Sequence, residues 1–159
     1  MTSPIKAYKQ YTINRAYKGE TFFWGLMPQA GDTIVFEFDE PVKVKGFRLR
    51  SGNHEHPSDL LYNTSVEVLP DGERHGGGSH GQATDGYVVV GQFDELGVAE
   101  GKLDPDKLGL IRSVRLSIKS ASKNWVIISE VCHFHGIFFL IIINYKNFFS
   151  QIMFDTADR

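Results

Sequence analysis

At 159 residues, 42% hydrophobic and 23% charged, the chain has the make-up of one ordinary folded domain, which excludes a disordered polypeptide. Its formal net charge of -2 excludes the clustered cationic surface that nucleic acids and anionic membranes require. One cysteine, Cys132, leaves no internal disulfide and no CxxC metal clip.

The opening stretch MTSPIKAYKQYT lacks an apolar signal region, so no signal peptide is expected. Residues 32–40, DTIVFEFDE, alternate Ile34, Phe36 and Phe38 with smaller or polar neighbours, the period of a strand with one apolar face. Pro41 is expected to end it. Residues 42–50 repeat the alternation, and Gly46 shifts its phase as a bulge would. Residues 63–69 put Val66 and Val68 inward, residues 87–90 form a short apolar strand, and residues 113–118 alternate Val114, Leu116 and Ile118 with Arg115 and Ser117. Residues 125–131 read as a last strand. No window before residue 130 shows a helical period. Short strands divided by Gly, Asp and Pro turns predict an all-β sandwich or barrel. Residues 71–86, DGERHGGGSHGQATDG, read as a mobile loop.

The end of the chain differs. Residues 137–143, IFFLIII, are continuously apolar but far short of the roughly 20 residues that span a bilayer. Uncharged, β-prone and free of proline, the run has the profile of an aggregation hazard.

Residues 51–59, SGNHEHPSD, crowd two histidines, a glutamate, an aspartate and an asparagine between two strands. A zinc protease would need HExxH on a helix, whereas HEH here runs into Pro57. Glu55 and Asp59 form a carboxylate pair of the kind glycoside hydrolysis uses, but both lie in one short loop, and the chemistry needs them on opposite sides of a sugar. There is no GxSxG elbow. A sugar site fits the composition better. Carboxylates accept vicinal hydroxyls, Asn and His donate, and an aromatic ring stacks on the C–H face of the sugar. Phe22-Phe23-Trp24 supplies rings, with two of the three read as core. Trp125 is assigned to the core. A solvated loop without function remains the competing reading.

Motifs in fixed order carry a resemblance: AYKGETFFWG at 16–25, PxAGD at 28–32, SGNxEHPxD at 51–59, NTSVEVLP at 63–70, DGY at 85–87, GVAEGxxDP at 97–105, then Trp125, Ile128 and Glu130. The chain resembles the C-terminal domain of the α-1,3-mannosyl-glycoprotein 4-β-N-acetylglucosaminyltransferases, enzymes that start the β1,4 branch of N-glycans. The resemblance divides the chain into a lectin-like domain, residues 8–131, and an atypical hydrophobic tail, residues 132–159.

The resemblance implies a jelly-roll β-sandwich of the discoidin, galactose-binding-like type. It implies a module that binds N-acetylglucosamine-terminated N-glycan arms and is not itself a catalyst, working beside an upstream glycosyltransferase domain in the Golgi lumen. No cofactor is expected in this chain; the family enzyme's UDP-GlcNAc and divalent metal belong to the other domain. The letters of a DxD pair at Asp104-Pro105-Asp106 fall inside GVAEGxxDP and read as a turn. The loop match assigns sugar contacts to Asp59, Glu55, His56 and Asn53, with Asp59 leading and Trp24 as a further contact. Glu55 is alternatively a brace for His56, and Asp59 a cap for its own turn. Asn63-Thr64-Ser65 is an N-glycosylation sequon, so Asn63 is a possible glycan acceptor in a secretory setting. A free-standing protein-interaction sandwich and a small glycoside hydrolase are the alternatives to this reading.

Overall fold

The computed structural model describes residues 1–18, 20–72, 85–128, 139–143 and 150–156. It is an all-β sandwich of antiparallel sheets, as the alternating segments predict. In chain order the elements are α1 (Ile13–Tyr17), β1 (Phe23–Gly25), β2 (Thr33–Val42), β3 (Val44–Arg50), β4 (Thr64–Pro70), β5 (Val88–Gln92), β6 (Val98–Lys102), α2 (Pro105–Leu108), β7 (Ile111–Ile118), β8 (Val126–Ile128), β9 (Phe139–Ile143) and β10 (Ser150–Thr156). One sheet has the order β2-β7-β4-β5, a second β6-β3-β10-β9, and β1 pairs with β8 in a small third. No helix among the described residues is long and apolar enough to cross a membrane.

Side-chain alternation explains the layering. Ile34 and Phe36 of β2, Val66 and Val68 of β4, and Val114, Leu116 and Ile118 of β7 all point into one buried core. Val44, Phe47 and Leu49 of β3 meet them from the other sheet. The phase shift at Gly46 is real. Gly46 and Phe47 are both buried, and opposite them the β3–β10 register slips between Asp155 and Thr156. A Cβ at Gly46 would lie 2.9 Å from the Gly101 carbonyl oxygen, so only glycine lets β6 approach here. Phe47 fills a gap between the sheets. Its ring lies where a Cβ on either Gly91 or Gly101 would stand, within 2.8 Å in both cases.

Two expectations need correction, and three elements went unread in the sequence. Pro41 does not end β2, which runs on to Val42. β2 is an edge strand, and its register with β7 jumps from Glu37 to Val42, so the ladder does not need the N–H that Pro41 lacks. Among the described residues two short helices occur before residue 130, of five and four residues, too short to print a period in the sequence. The strand β6, whose sequence VAEGK shows no clean alternation, is set by its pairing with β3. Asp104-Pro105-Asp106, expected as a turn, instead opens the short helix α2, where Asp104 is the N-cap and accepts the Asp106 N–H at 3.1 Å.

Residues 73–84 of the glycine-rich segment, and 129–131 of the expected last strand, lie outside the described residues. In the tail, β10 pairs along β3 and β9 pairs along β10, so backbone from residues 139–143 and 150–156 extends the second sheet.

Candidate sugar-binding rim

The loop from 51 to 63 joins β3 to β4 and closes against β8. Glycine makes this possible: Gly52 has φ +77°, and a Cβ there would sit 2.5 Å from Leu60 Cδ2. Ile127 of β8 faces Trp24 of β1 across the small sheet. The outward backbone groups of both residues are then taken up. The Ile127 carbonyl accepts the Gly52 N–H at 3.1 Å, and the Ile127 N–H donates to the Asp59 carbonyl at 3.0 Å. On the far side the Trp24 N–H donates to Tyr11 O at 3.0 Å, and Trp24 O accepts from the Tyr8 N–H at 2.8 Å. Residues 8–11, β1, β8 and the 52–59 loop thus lie side by side, and their side chains gather at one rim.

Within the loop, Asn53 Oδ1 accepts the His56 N–H at 2.7 Å, and the Asp59 N–H donates to His56 O at 3.2 Å. These bonds hold His56 and Asp59 in place. Asn53 is 9% exposed, and its Nδ2 has no hydrogen-bond partner among the described residues. Asn124 Nδ2 donates to Ser58 O at 3.1 Å and ties the loop to the turn before β8.

Asp59 is half-buried, and its Oδ2 accepts the Trp24 indole N–H at 2.9 Å. Among the described residues Oδ1 has no protein partner. Trp24 itself lies inside a ring of aromatics. Its centroid is 4.5 Å from His56, 4.8 Å from Trp125, 5.1 Å from Tyr8, 5.8 Å from Tyr11 and 6.0 Å from Phe22. Tyr11 and Phe22 stack at 4.6 Å, and Tyr8 meets Trp125 at 4.8 Å. All six of these rings are half-buried, an apolar surface that still meets solvent. Lys9 lies 4.8 Å from the Tyr8 ring centroid, and its hydrogen bond with Tyr8 raises the Lys9 pKa.

The structure therefore brings together Asp59, His56, Asn53 and Trp24. Glu55 and His54 are exposed, and among the described residues Glu55 makes no hydrogen bond or ion pair with His56. No group of three metal-ligating side chains exists among the described residues. Of Phe22, Phe23 and Trp24, only Phe23 is core, and Trp125 is not core either. Both tryptophans are held at the rim because β1 and β8 form a small side sheet rather than a layer of the sandwich. Sequence reasoning missed Tyr8, Tyr11 and Trp125. The signal available was AYKQYT, which places two tyrosines three residues apart with no apolar periodicity to bury them.

Asn63 is committed structurally. It takes the left-handed conformation, φ +46°, accepts Gln92 Nε2 at 2.9 Å and donates to Ser120 Oγ at 3.1 Å.

A second polar cluster sits on the outer face of the β2-β7-β4-β5 sheet. Glu67 is 2% exposed. It accepts Ser65 Oγ at 2.5 Å, Lys119 Nζ at 2.8 Å and Arg115 Nε at 2.7 Å. Arg115 also pairs with Asp85 and lies 3.8 Å over the Tyr87 ring. Burial alone would push the Glu67 pKa up. The bonds from Lys119, Ser65 and Arg115 outweigh it and hold the carboxyl below the ordinary range. Asp85 is lowered by its bond from Arg115.

Comparison with known proteins agrees with the motif order. A family model described as the MGAT4 C-terminal domain matches residues 1–130. The chain belongs to this family. It is 43% identical over 142 residues to the alpha-1,3-mannosyl-glycoprotein 4-beta-N-acetylglucosaminyltransferase B of Homo sapiens, covering 82% of this chain and 26% of that protein. It is 43% identical over 135 residues to the corresponding enzyme A of Rattus norvegicus, covering 82% of this chain and 25% of that protein. The chain thus spans about a quarter of the length of these relatives.

Proposed function

We propose that the chain is a non-catalytic carbohydrate-binding domain. It holds an N-acetylglucosamine-terminated arm of an N-linked glycan for a glycosyltransferase that starts the β1,4 branch, in the Golgi lumen. The observation that carries this reading is the Trp24 to Asp59 hydrogen bond at a half-exposed, aromatic rim. The indole N–H fixes Oδ2 and leaves Oδ1 to accept a sugar hydroxyl. A hydrogen bond to a charged group contributes about 1.5–3 kcal/mol. His56, held by Asn53, supplies ring nitrogens beside it, and the Asn53 amide nitrogen supplies a further donor. Apolar sugar C–H groups meet the surrounding rings. UDP-GlcNAc and a divalent metal act in the partner transferase domain on this reading, and nothing in this chain is assigned to them.

Such contacts give weak binding. Millimolar affinity corresponds to about -4 kcal/mol. Tethering to a transferase makes that useful, because the tether raises effective concentration while leaving product free to depart.

An array of N-acetylglucosamine-terminated glycans, probed with wild type and Asp59→Ala, tests the assignment. Signal should fall to background in the variant with its melting temperature retained. Undiminished binding by Asp59→Ala would move the site elsewhere.

A further inference from the structure

We infer that the rim holds two linked sugars, and that Trp125 with Tyr8 forms the subsite for the second. This rests on the glycan-binding reading above and adds to it a requirement on the ligand: a disaccharide is the smallest full occupant.

Three observations support it. The two tryptophans differ in the state of their indole N–H. Trp24 donates to Asp59, whereas Trp125 has no hydrogen-bond partner among the described residues, and no buried side-chain polar atom there is left without one. Among the described residues nothing occupies the Trp125 N–H, which leaves it for a ligand. Secondly, Trp125 and His56 both contact Trp24, at 4.8 and 4.5 Å, so polar groups of the first subsite and the Trp125 ring flank a single indole. Thirdly, the placement is rigid. Asn124, next in sequence to Trp125, is tied to Ser58, and Ile127, two residues on, is bonded to Asp59. Tyr8, 4.8 Å from Trp125 and tilted by 37°, lies against it at the same subsite. A ring held this way, with an unused donor beside a carboxylate site, has the chemistry of a sugar platform: apolar face for C–H groups, N–H for one hydroxyl.

The chain has only two tryptophans, so their indole N–H signals report the two subsites separately. The test is an NMR titration of the full chain with two probes: the methyl β-glycoside of N-acetylglucosamine, and N-acetylglucosamine β-linked to mannose. The monosaccharide should move the Trp24 indole signal and leave that of Trp125 in place. The disaccharide should move both and bind roughly three- to tenfold more tightly, the range that one aromatic contact supplies. Trp125→Ala should erase that ratio. Trp125→Phe, which retains a ring, should keep part of it. Equal affinity for the two probes in wild type, or a ratio that survives Trp125→Ala, overturns the second subsite. If Trp125→Ala fails to fold, the wild-type indole signals decide alone: a Trp125 signal that does not respond to the disaccharide overturns it. Should neither probe move the Trp24 signal, the glycan-binding reading itself fails, which is a different outcome.

Discussion

The cluster around Glu67 and the rim around Asp59 are built from similar residues: a carboxylate, aromatic rings and hydrogen-bond donors. They differ in how many of their polar atoms the protein itself occupies. Both Glu67 oxygens are bonded, by Ser65, Lys119 and Arg115, and Arg115 is in turn shared with Asp85 and laid over Tyr87. At the rim, one Asp59 oxygen is bonded by Trp24, and the other has no partner among the described residues. A carboxylate closed on every side can only hold the fold together. One fixed by a single donor is oriented and still has capacity for a ligand. The difference separates a structural cluster from a binding one more reliably than residue type does.

The comparison breaks if the two sites respond alike to substitution. The largest effect is expected for Glu67→Ala. It leaves the half-buried Arg115 and the Lys119 ammonium facing an empty site, and should cost about 3–5 kcal/mol of stability, measured by urea denaturation. Glycan affinity of the folded fraction should not change. At the rim the weights reverse. Trp24→Phe keeps a ring but removes the donor to Asp59, so affinity should fall roughly tenfold while stability falls by only about 1 kcal/mol.

Acid titration sharpens the contrast further. The folded-state pKa of Glu67 lies below its ordinary 4.5. The cluster's contribution is therefore complete above that value and is lost as pH falls through the lower, folded-state pKa. Melting temperature should be level above about pH 5 and drop below pH 4.5, and Glu67→Gln should flatten that drop. The smallest effect on stability is expected from Asp59→Asn. It keeps an oxygen for the Trp24 N–H and should stay within about 0.5 kcal/mol of wild type, while the glycan signal weakens.

Much of the sandwich was legible from alternation. β2, β3 and β7 each bury one apolar face, and β4 carries the same alternation although both of its faces are covered. Gly46 announced its phase shift because the apolar residues on either side fall out of step. What lay beyond the sequence was set by distant pairing. Glu67 alternates with Val66 and Val68, so it reads as a solvent-facing residue. Its burial comes from Arg115 and Lys119 on β7 and beyond, about fifty residues away. Pro41 reads as a strand end until the edge position of β2 is known. Trp125 reads as core because a tryptophan before an apolar strand is usually buried. Only the side position of β1 and β8 puts it at the surface. The loop residues Asn53, His56 and Asp59 were found from their motif. The aromatic partners that give them a setting were not, since Tyr8 and Tyr11 arrive from the opposite end of the chain.

The strand β7 contributes two arginines whose aspartate partners stand apart from the rim. Arg112 pairs with Asp71, and Arg115 with Asp85. These aspartates stand just before and just after residues 73–84, so a single strand anchors both ends of that insertion. With the chain pinned on either side by these two pairs, an epitope tag or fluorophore placed between them should leave the melting curve and the Trp24–Asp59 rim as they are.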